Sequence, residues 1–240
     1  MKSDSDLAQA IAPDFADRYQ VLIANTEVER RQAFRVRHQV FCEQLGYDMD
    51  NVDGCESDEH DINSLHVIVR DRYTDAGVAC FRLVLPQPNA RVWLPFDLYG
   101  VPHVDRSLFD WNKVNHLRSM EVSRLALNSK LLDNEHASVG ISTPYLAAAM
   151  FYAVTAVTLH MGIEHLFMVI EPRLARLIAR FGMHLDQISP KFEYYGQRAT
   201  FTTNAPRLRQ ELTQLPSAWR KFYDVVDVQL YADSEAQQVA

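Results

Sequence analysis

The chain has 240 residues, 48% hydrophobic and 23% charged, with a formal net charge of −7. That length fits one domain with a sizeable core, and the acidic balance argues against general nucleic-acid binding. Cys42, Cys55 and Cys80 are odd in number and widely spaced, giving neither a disulfide framework nor a zinc pattern, which fits a reducing, cytoplasmic setting.

In chain order, residues 1–17 read as a flexible leader, polar at the start and without a signal-peptide core. Tyr19 to Ala24 can be a short strand. Thr26-Glu27-Val28-Glu29 has the capping-box pattern and starts a helix, for which Gly46 is a stop. Phe34, Arg37, His38, Phe41 and Leu45 fall on one face of that helix, so Arg37 points inward and needs a carboxylate. Residues 48–63 have little apolar content and read as a loop. Ser64 to Arg70 and Val78 to Leu85 read as strands joined by a turn at 74–77. Residues 86–118 hold Pro86, Pro88, Pro95 and Pro102 and read as irregular. Met120 to Leu127 is a further strand. Ser142-Thr143-Pro144 starts a helix that continues through the apolar run 145–160, too short and too rich in threonine to span a membrane. Leu166 to Ile170 is a buried strand, and Pro172 opens a helix that Gly182 ends. Residues 192–203 form a last strand. Residues 205–240 form an appendage whose helical pattern is interrupted at Pro216. The order is that of a mixed α/β sandwich, with the main domain over 18–204.

Charged side chains recur on successive elements. Arg37 lies on the first helix; Glu56, Asp58 and Asp61 lie in the following loop; Arg82 lies on a hairpin strand; Glu121, Ser123 and Arg124 lie on the next strand. Such groups are rarely buried unless paired, so their recurrence on core elements points to a polar site inside the fold. A calcium loop over 48–59 fails in register, with Val52 at the fifth position and Gly54 at the seventh. His60 and His66 fit no common metal-ligand spacing. No metal is therefore expected.

The ordered set Arg-x-x-x-Phe (Arg37, Phe41), Leu-Gly-aromatic (Leu45 to Tyr47), Glu-x-Asp-x-x-Asp (Glu56, Asp58, Asp61), Arg82 and Glu-x-Ser-Arg (Glu121, Ser123, Arg124) resembles the autoinducer synthases that make N-acyl-homoserine lactones, and their relatives the N-acyl amino acid synthases. The resemblance covers roughly residues 30–200. The lactone-forming family usually has tryptophan where Tyr47 stands. The stretch Phe192-Glu193-Tyr194-Tyr195-Gly196-Gln197-Arg198, with Leu83 to Pro86 and Leu94-Pro95, is more similar to the N-acyl amino acid synthases associated with PEP-CTERM/exosortase systems.

The resemblance implies a GNAT-like α/β fold and the transfer of a fatty acyl group from acyl carrier protein to the α-amine of an amino acid. The alternatives are N-acyl-homoserine lactone synthesis from S-adenosylmethionine and a non-catalytic acyl-binding module. Glu121 is the expected general base, acting through a water; the other reading makes it a structural partner of Arg82 or Arg124. In a regular strand Glu121 and Arg124 would face opposite ways, and only a bulge would turn both to one cleft. Ser123 belongs to the same catalytic motif. Arg82 and Arg124 either bind the acceptor's carboxylate or hold the site's own carboxylates. Asp58 and Asp61 are expected to pair with Arg37 and an incoming ammonium group. Phe41 and Tyr47 either line the acyl or acceptor pocket or pack in the core. Between Asn128 and Ser142 only Gly140 is glycine, unlike the glycine-rich turns that cradle a pyrophosphate. This favours carrier protein over CoA as donor. Arg173, Arg176 and Arg180 share one helix face, available for docking an acidic carrier protein or simply solvated. No cofactor beyond the thioester co-substrate is implied.

Overall fold

In a computed structural model of the chain, residues 12–87, 94–132 and 143–238 are described. The expected leader over 1–11, Pro88, Gly140 and the helix-start Ser142 lie outside the described residues.

The elements run α1 (12–18), β1 (Tyr19–Ile23), α2 (Glu27–Arg37), β2 (Asn51–Val52), β3 (Cys55–Glu56), β4 (Ser64–Asp71), β5 (Gly77–Val84), α3 (Phe96–Tyr99), β6 (Ser119–Leu127), α4 (Ser129–Leu132), α5 (Thr143–His160), β7 (His165–Ile170), α6 (Pro172–Arg180), β8 (Asp186–Gln187), β9 (Phe192–Glu193), β10 (Gln197–Asn204), α7 (Ala205–Gln214) and α8 (Ser217–Gln238). The main sheet has the order β1-β4-β5-β6-β7-β10-β8, with β9 paired to β10. Among its pairings only β6 with β7 is parallel.

Alternation along the strands sorts the core onto two faces. Val67, Val69, Phe81, Leu83, Met120 and Val122 join the large cluster with α5 and α8. Ile68, Cys80 and Ala126 face Ala33 and Val36 of α2 and Val40 just beyond its end. A third cluster places Phe96 and Phe167 with Val84, Leu94 and Ile188.

Three departures from the sequence pattern matter. The leader reading fails from residue 12: Ala12 and Phe15 are buried, and Phe15 meets Phe222 of α8 edge-on at 5.0 Å. The capping box at Thr26 forms as expected, the Glu29 amide lying 3.2 Å from the threonine hydroxyl. However, the inward stripe is Ala33, Val36, Arg37 and Val40, whereas Leu45 is exposed. From His38 onward the physical reason is a π-helical stretch over His38–Gln44. Its wider turn rotates later side chains off the 3.6-residue register. The segment 48–63 is also more ordered than a loop, holding the β2–β3 hairpin and a 3-10 turn over Glu59–Asn63.

Pro216 splits the C-terminal segment into α7 and α8. Phe222 is fully buried, and Tyr152 of α5 packs against it at 5.8 Å. No helix among the described residues is long and apolar enough to cross a membrane.

Candidate active site

The site begins where the sheet opens. β6 and β7 pair only from Ser119 opposite His165 to Val122 opposite Met168. Beyond that point β6 follows β5 and β7 follows β10. A cavity of about 760 Å³ occupies the opening. Val40 and Phe41 border it on the α2 side; Phe151, Leu174 and Leu177 border it on the α5–α6 side. It therefore passes through the sheet, not merely along one face.

β6 carries the polar residues of this passage, and a bulge positions them. Cys80 pairs with Ala126, but Arg82 pairs with Ser123, so Arg124 and Leu125 together oppose Phe81. Arg124 has φ +53°, a left-handed conformation unfavourable for a side chain with a Cβ. Without the extra residue, Arg124 would point into the apolar core around α5. With it, Glu121, Ser123 and Arg124 all border the cavity. The expected bulge is present.

Beside the cavity lies a closed ion network. Arg37 is fully buried; its Nε pairs with Glu56, and its Nη1 and Nη2 lie 2.7 and 3.1 Å from the two Asp61 oxygens. Its guanidinium also lies 5.2 Å from the Phe34 ring centre. Arg82, equally buried, pairs through Nη1 with Asp58 and, at 2.8 Å, with Asp61; its Nε reaches the Ser123 hydroxyl at 3.1 Å. Arg124 Nε meets Glu56 at 3.0 Å and its Nη2 meets Asp58 at 2.8 Å. Three arginines thus balance Glu56, Asp58 and Asp61. Asp58 and Asp61 also form a capping box on the 3-10 turn, fixing their carboxylates by backbone geometry. Burial alone would raise Asp61, but the hydrogen bonds and charges of Arg37 and Arg82 outweigh it and hold the carboxyl well below its ordinary range. Asp58 is lowered against the same burial by Arg82 and Arg124.

Glu121 stands outside this network. It is buried, and its Oε2 accepts a 2.6 Å hydrogen bond from the Phe96 backbone amide. No arginine is hydrogen-bonded or ion-paired to it among the described residues. Phe96 stacks on Phe167 at 4.8 Å, and Phe167 is Glu121's register partner on β7. Burial pushes the Glu121 carboxyl up to about 7, against the pull of Arg82, the Phe96 amide and Arg124. A carboxylate with this property can take a proton near neutral pH.

The remaining rim is aromatic. Phe41 and Tyr47 stack at 6.4 Å, Tyr47 meets Tyr195 at 5.1 Å, Tyr195 meets Tyr194 at 5.2 Å, and Tyr194 meets Tyr99 at 5.0 Å. Tyr195, with φ +48°, and Gly196 form the tip of the β9–β10 turn. The Tyr47 hydroxyl donates to the Tyr195 carbonyl at 3.2 Å. Arg198 donates to that carbonyl at 2.8 Å and pairs with Glu171 at 2.6 Å.

The expected site residues divide accordingly. Phe41, Tyr47, Asp58, Arg82, Glu121, Ser123, Arg124 and Arg173 border the cavity, whereas Arg37 and Asp61 lie behind it. Asp58 pairs with Arg82 and Arg124, not with Arg37. Arg173, Arg176 and Arg180 are exposed together on α6, and Arg173 pairs with Glu171. Glu56, named in the motif but not singled out for the site, links Arg37 to Arg124. Tyr194, Tyr195 and Arg198 were visible only as part of the 192–198 resemblance. The Phe96 contact has no side-chain signature, since a backbone amide makes it. No cluster of potential metal ligands occurs among the described residues.

Comparison with known proteins agrees with this architecture. Residues 36–138, a little under half of the chain, match the family model described as the acetyltransferase (GNAT) domain. No curated protein matches the chain in sequence. Among solved structures, the AHL synthase LasI is 17% identical, with a TM-score of 0.58, covering 77% of this chain and 88% of its own. FeeM, an N-acyl amino acid synthase from uncultured soil microbes, is 16% identical, with a TM-score of 0.58, covering 81% and 94%. BjaI, a CoA-dependent acyl-homoserine lactone synthase solved with SAM and isopentyl-CoA, is 17% identical, with a TM-score of 0.57, covering 84% and 91%. The chain has the GNAT-like fold of these synthases.

Proposed function

We propose that this protein is an N-acyltransferase that moves a fatty acyl group from acyl carrier protein to the α-amine of an amino acid. The observation that carries this reading is Glu121: a buried carboxylate with no arginine paired to it among the described residues, pushed up to about 7 by burial, beside a passage through the sheet.

The chemistry follows from the residues. The amine nitrogen attacks the thioester carbonyl and forms the C–N bond. Its proton passes to Glu121 through a water. The tetrahedral intermediate collapses, the C–S bond breaks and the thiolate leaves, to be protonated afterwards. Ser123 can assist as the oxyanion forms, because its oxygen already accepts from Arg82 and its own proton has no acceptor among the described residues. Leu125, Phe151, Met168, Ile170, Leu174 and Leu177 offer an apolar wall for the acyl tail. The exposed arginines of α6 near one side of the cavity suit an acidic carrier protein. The exosortase association is carried by the sequence resemblance at 192–198.

The test is thiol release from long-chain acyl carrier protein with a panel of amino acids and, separately, with S-adenosylmethionine, followed by product masses. Release with an amino acid and an acyl-amide mass is expected. Release only with S-adenosylmethionine, together with methylthioadenosine, would make the protein a lactone synthase. Release only from acyl-CoA would overturn the donor. Binding of carrier protein without release under any of these conditions would leave the non-catalytic module.

A further inference from the structure

The cavity contains several cations, but their hydrogen-bonding capacity is unequally spent. Arg82 is 1% exposed, and its Nε and Nη1 are committed to Ser123, Asp58 and Asp61. Arg198 is held by Glu171 and the Tyr195 carbonyl. Arg173 sits at the rim, 79% exposed and paired with Glu171. Arg124 Nε and Nη2 hold Glu56 and Asp58; its Nη1, like Arg82 Nη2, has no hydrogen bond among the described residues, but the Arg124 side chain is 19% exposed and is the more open of the two to a ligand in the cavity.

The phenols divide in the same way. The Tyr47 hydroxyl is spent on the Tyr195 carbonyl. Tyr99 and Tyr195 are exposed. Tyr194 is half-buried, borders the cavity and has no hydrogen-bond partner for its hydroxyl among the described residues. A half-buried phenol usually finds a partner. Its ring packs against Tyr99 at 5.0 Å and Tyr195 at 5.2 Å. Burial and the neighbouring Tyr99 push this hydroxyl up to about 12, with Arg124 pulling against them and Glu121 adding to them. It is therefore a protonated donor throughout the working pH range, within electrostatic reach of both Arg124 and Glu121.

We propose that Tyr194 and Arg124 together take the acceptor's carboxylate, Tyr194 through its hydroxyl and Arg124 through Nη1. This rests on the amino-acid acyltransferase reading. A zwitterionic acceptor adds no net charge to a site whose three arginines and three carboxylates already balance. Its carboxylate supplies the acceptor atoms that these two donors lack. Tyr194 lies outside the Glu-x-Ser-Arg motif and would be a substrate-contacting residue contributed by the β9–β10 turn.

The experiment compares wild type and Tyr194→Phe with the preferred amino acid and with the corresponding amine that lacks the carboxylate. Losing a hydrogen bond to a charged group should raise the amino-acid KM about tenfold or more, with kcat kept within about threefold and the pH profile unchanged. With the decarboxylated amine the two proteins should be equally poor. An equal penalty on both acceptors, or none on the amino acid, would overturn the assignment while leaving the acyltransferase reading in place. If wild type acylates no amino acid at all, that reading falls and this one with it. A thermal melt of the variant accompanies the kinetics, and loss of the amino-acid selectivity without loss of fold is the expected result.

Discussion

Glu121 and Arg124 lie three residues apart on β6 and border the same cavity because the strand bulges at Arg124, where φ is +53°. A strained conformation at a long charged residue costs on the order of 1–2 kcal/mol, and here the pairs with Glu56 and Asp58 hold it. Arg124→Ala removes the cation from both carboxylates, of which Glu56 is fully buried. The expected outcome is a loss of about 1–3 kcal/mol in urea unfolding, reduced from the fully buried case by the partial exposure of Arg124, together with a raised acceptor KM. Unchanged stability and unchanged KM would mean the bulge serves neither purpose.

Glu121→Gln should separate catalysis from stability. The amide can still accept from the Phe96 N–H, but it cannot take a proton from the amine. Turnover should fall about 10²-fold or more. At pH 8 the wild-type carboxylate is charged in a buried site, and the variant is not. The variant should therefore be more stable there, by on the order of 1–3 kcal/mol. Such a pairing of lost rate and gained Tm is the mark of a group held in an unfavourable state for its chemistry. A variant near the wild-type rate would remove Glu121 from the reaction.

The pH dependence of stability should reveal two opposing groups. Burial pushes Glu121 up to about 7, so the folded state binds its proton more tightly than the unfolded state. Its contribution grows as pH falls from above 7 towards the ordinary glutamate value. His66 is the reverse. Burial depresses its ring to about 4, against the pull of Asp61, and its Nδ1 has no hydrogen-bond partner among the described residues. Its contribution is lost as pH falls from about 6.5 through 4. Between pH 7 and 4.5 the two slopes oppose each other in wild type. In Glu121→Gln, stability should fall with acid across that window; in His66→Gln, it should rise. Chemical denaturation at four or five pH values reads both slopes, and parallel curves for the two variants would contradict the assignment. Asp58 and Asp61, held low by their arginines, add a loss of stability only below about pH 4.

Much of this site was legible in the sequence because buried charges must pair. Arg37 on an apolar helix face required a carboxylate, and the carboxylates of 56–61 were the nearest candidates. The partners could not be assigned one by one. Asp58 turned to Arg82 and Arg124 because the 3-10 turn, not the strand or helix period, aims its side chain. The helix stripe was misread by one position after Arg37, since a π turn has no strong compositional signal and alters the period. The role of the Phe96 amide was invisible for a simpler reason: every residue but proline has one. Strand alternation lets Glu121 and Arg124 share a cleft only through a bulge, and the backbone at Arg124 supplies it.

Arg173, Arg176 and Arg180 are exposed along α6, with Leu174 and Leu177 of the same helix on the cavity wall. A carrier protein docked there would bring its prosthetic arm to the opening between β6 and β7. Reversing charge in Arg176→Glu/Arg180→Glu leaves the cavity wall untouched, because neither residue borders it. The KM for acyl carrier protein should rise about tenfold and lose much of its salt dependence, while the KM for a small acyl-pantetheine thioester stays at the wild-type value. Equal effects on both donors would point to damage in the passage itself. No effect on either would leave α6 as a solvated face and move the docking surface elsewhere.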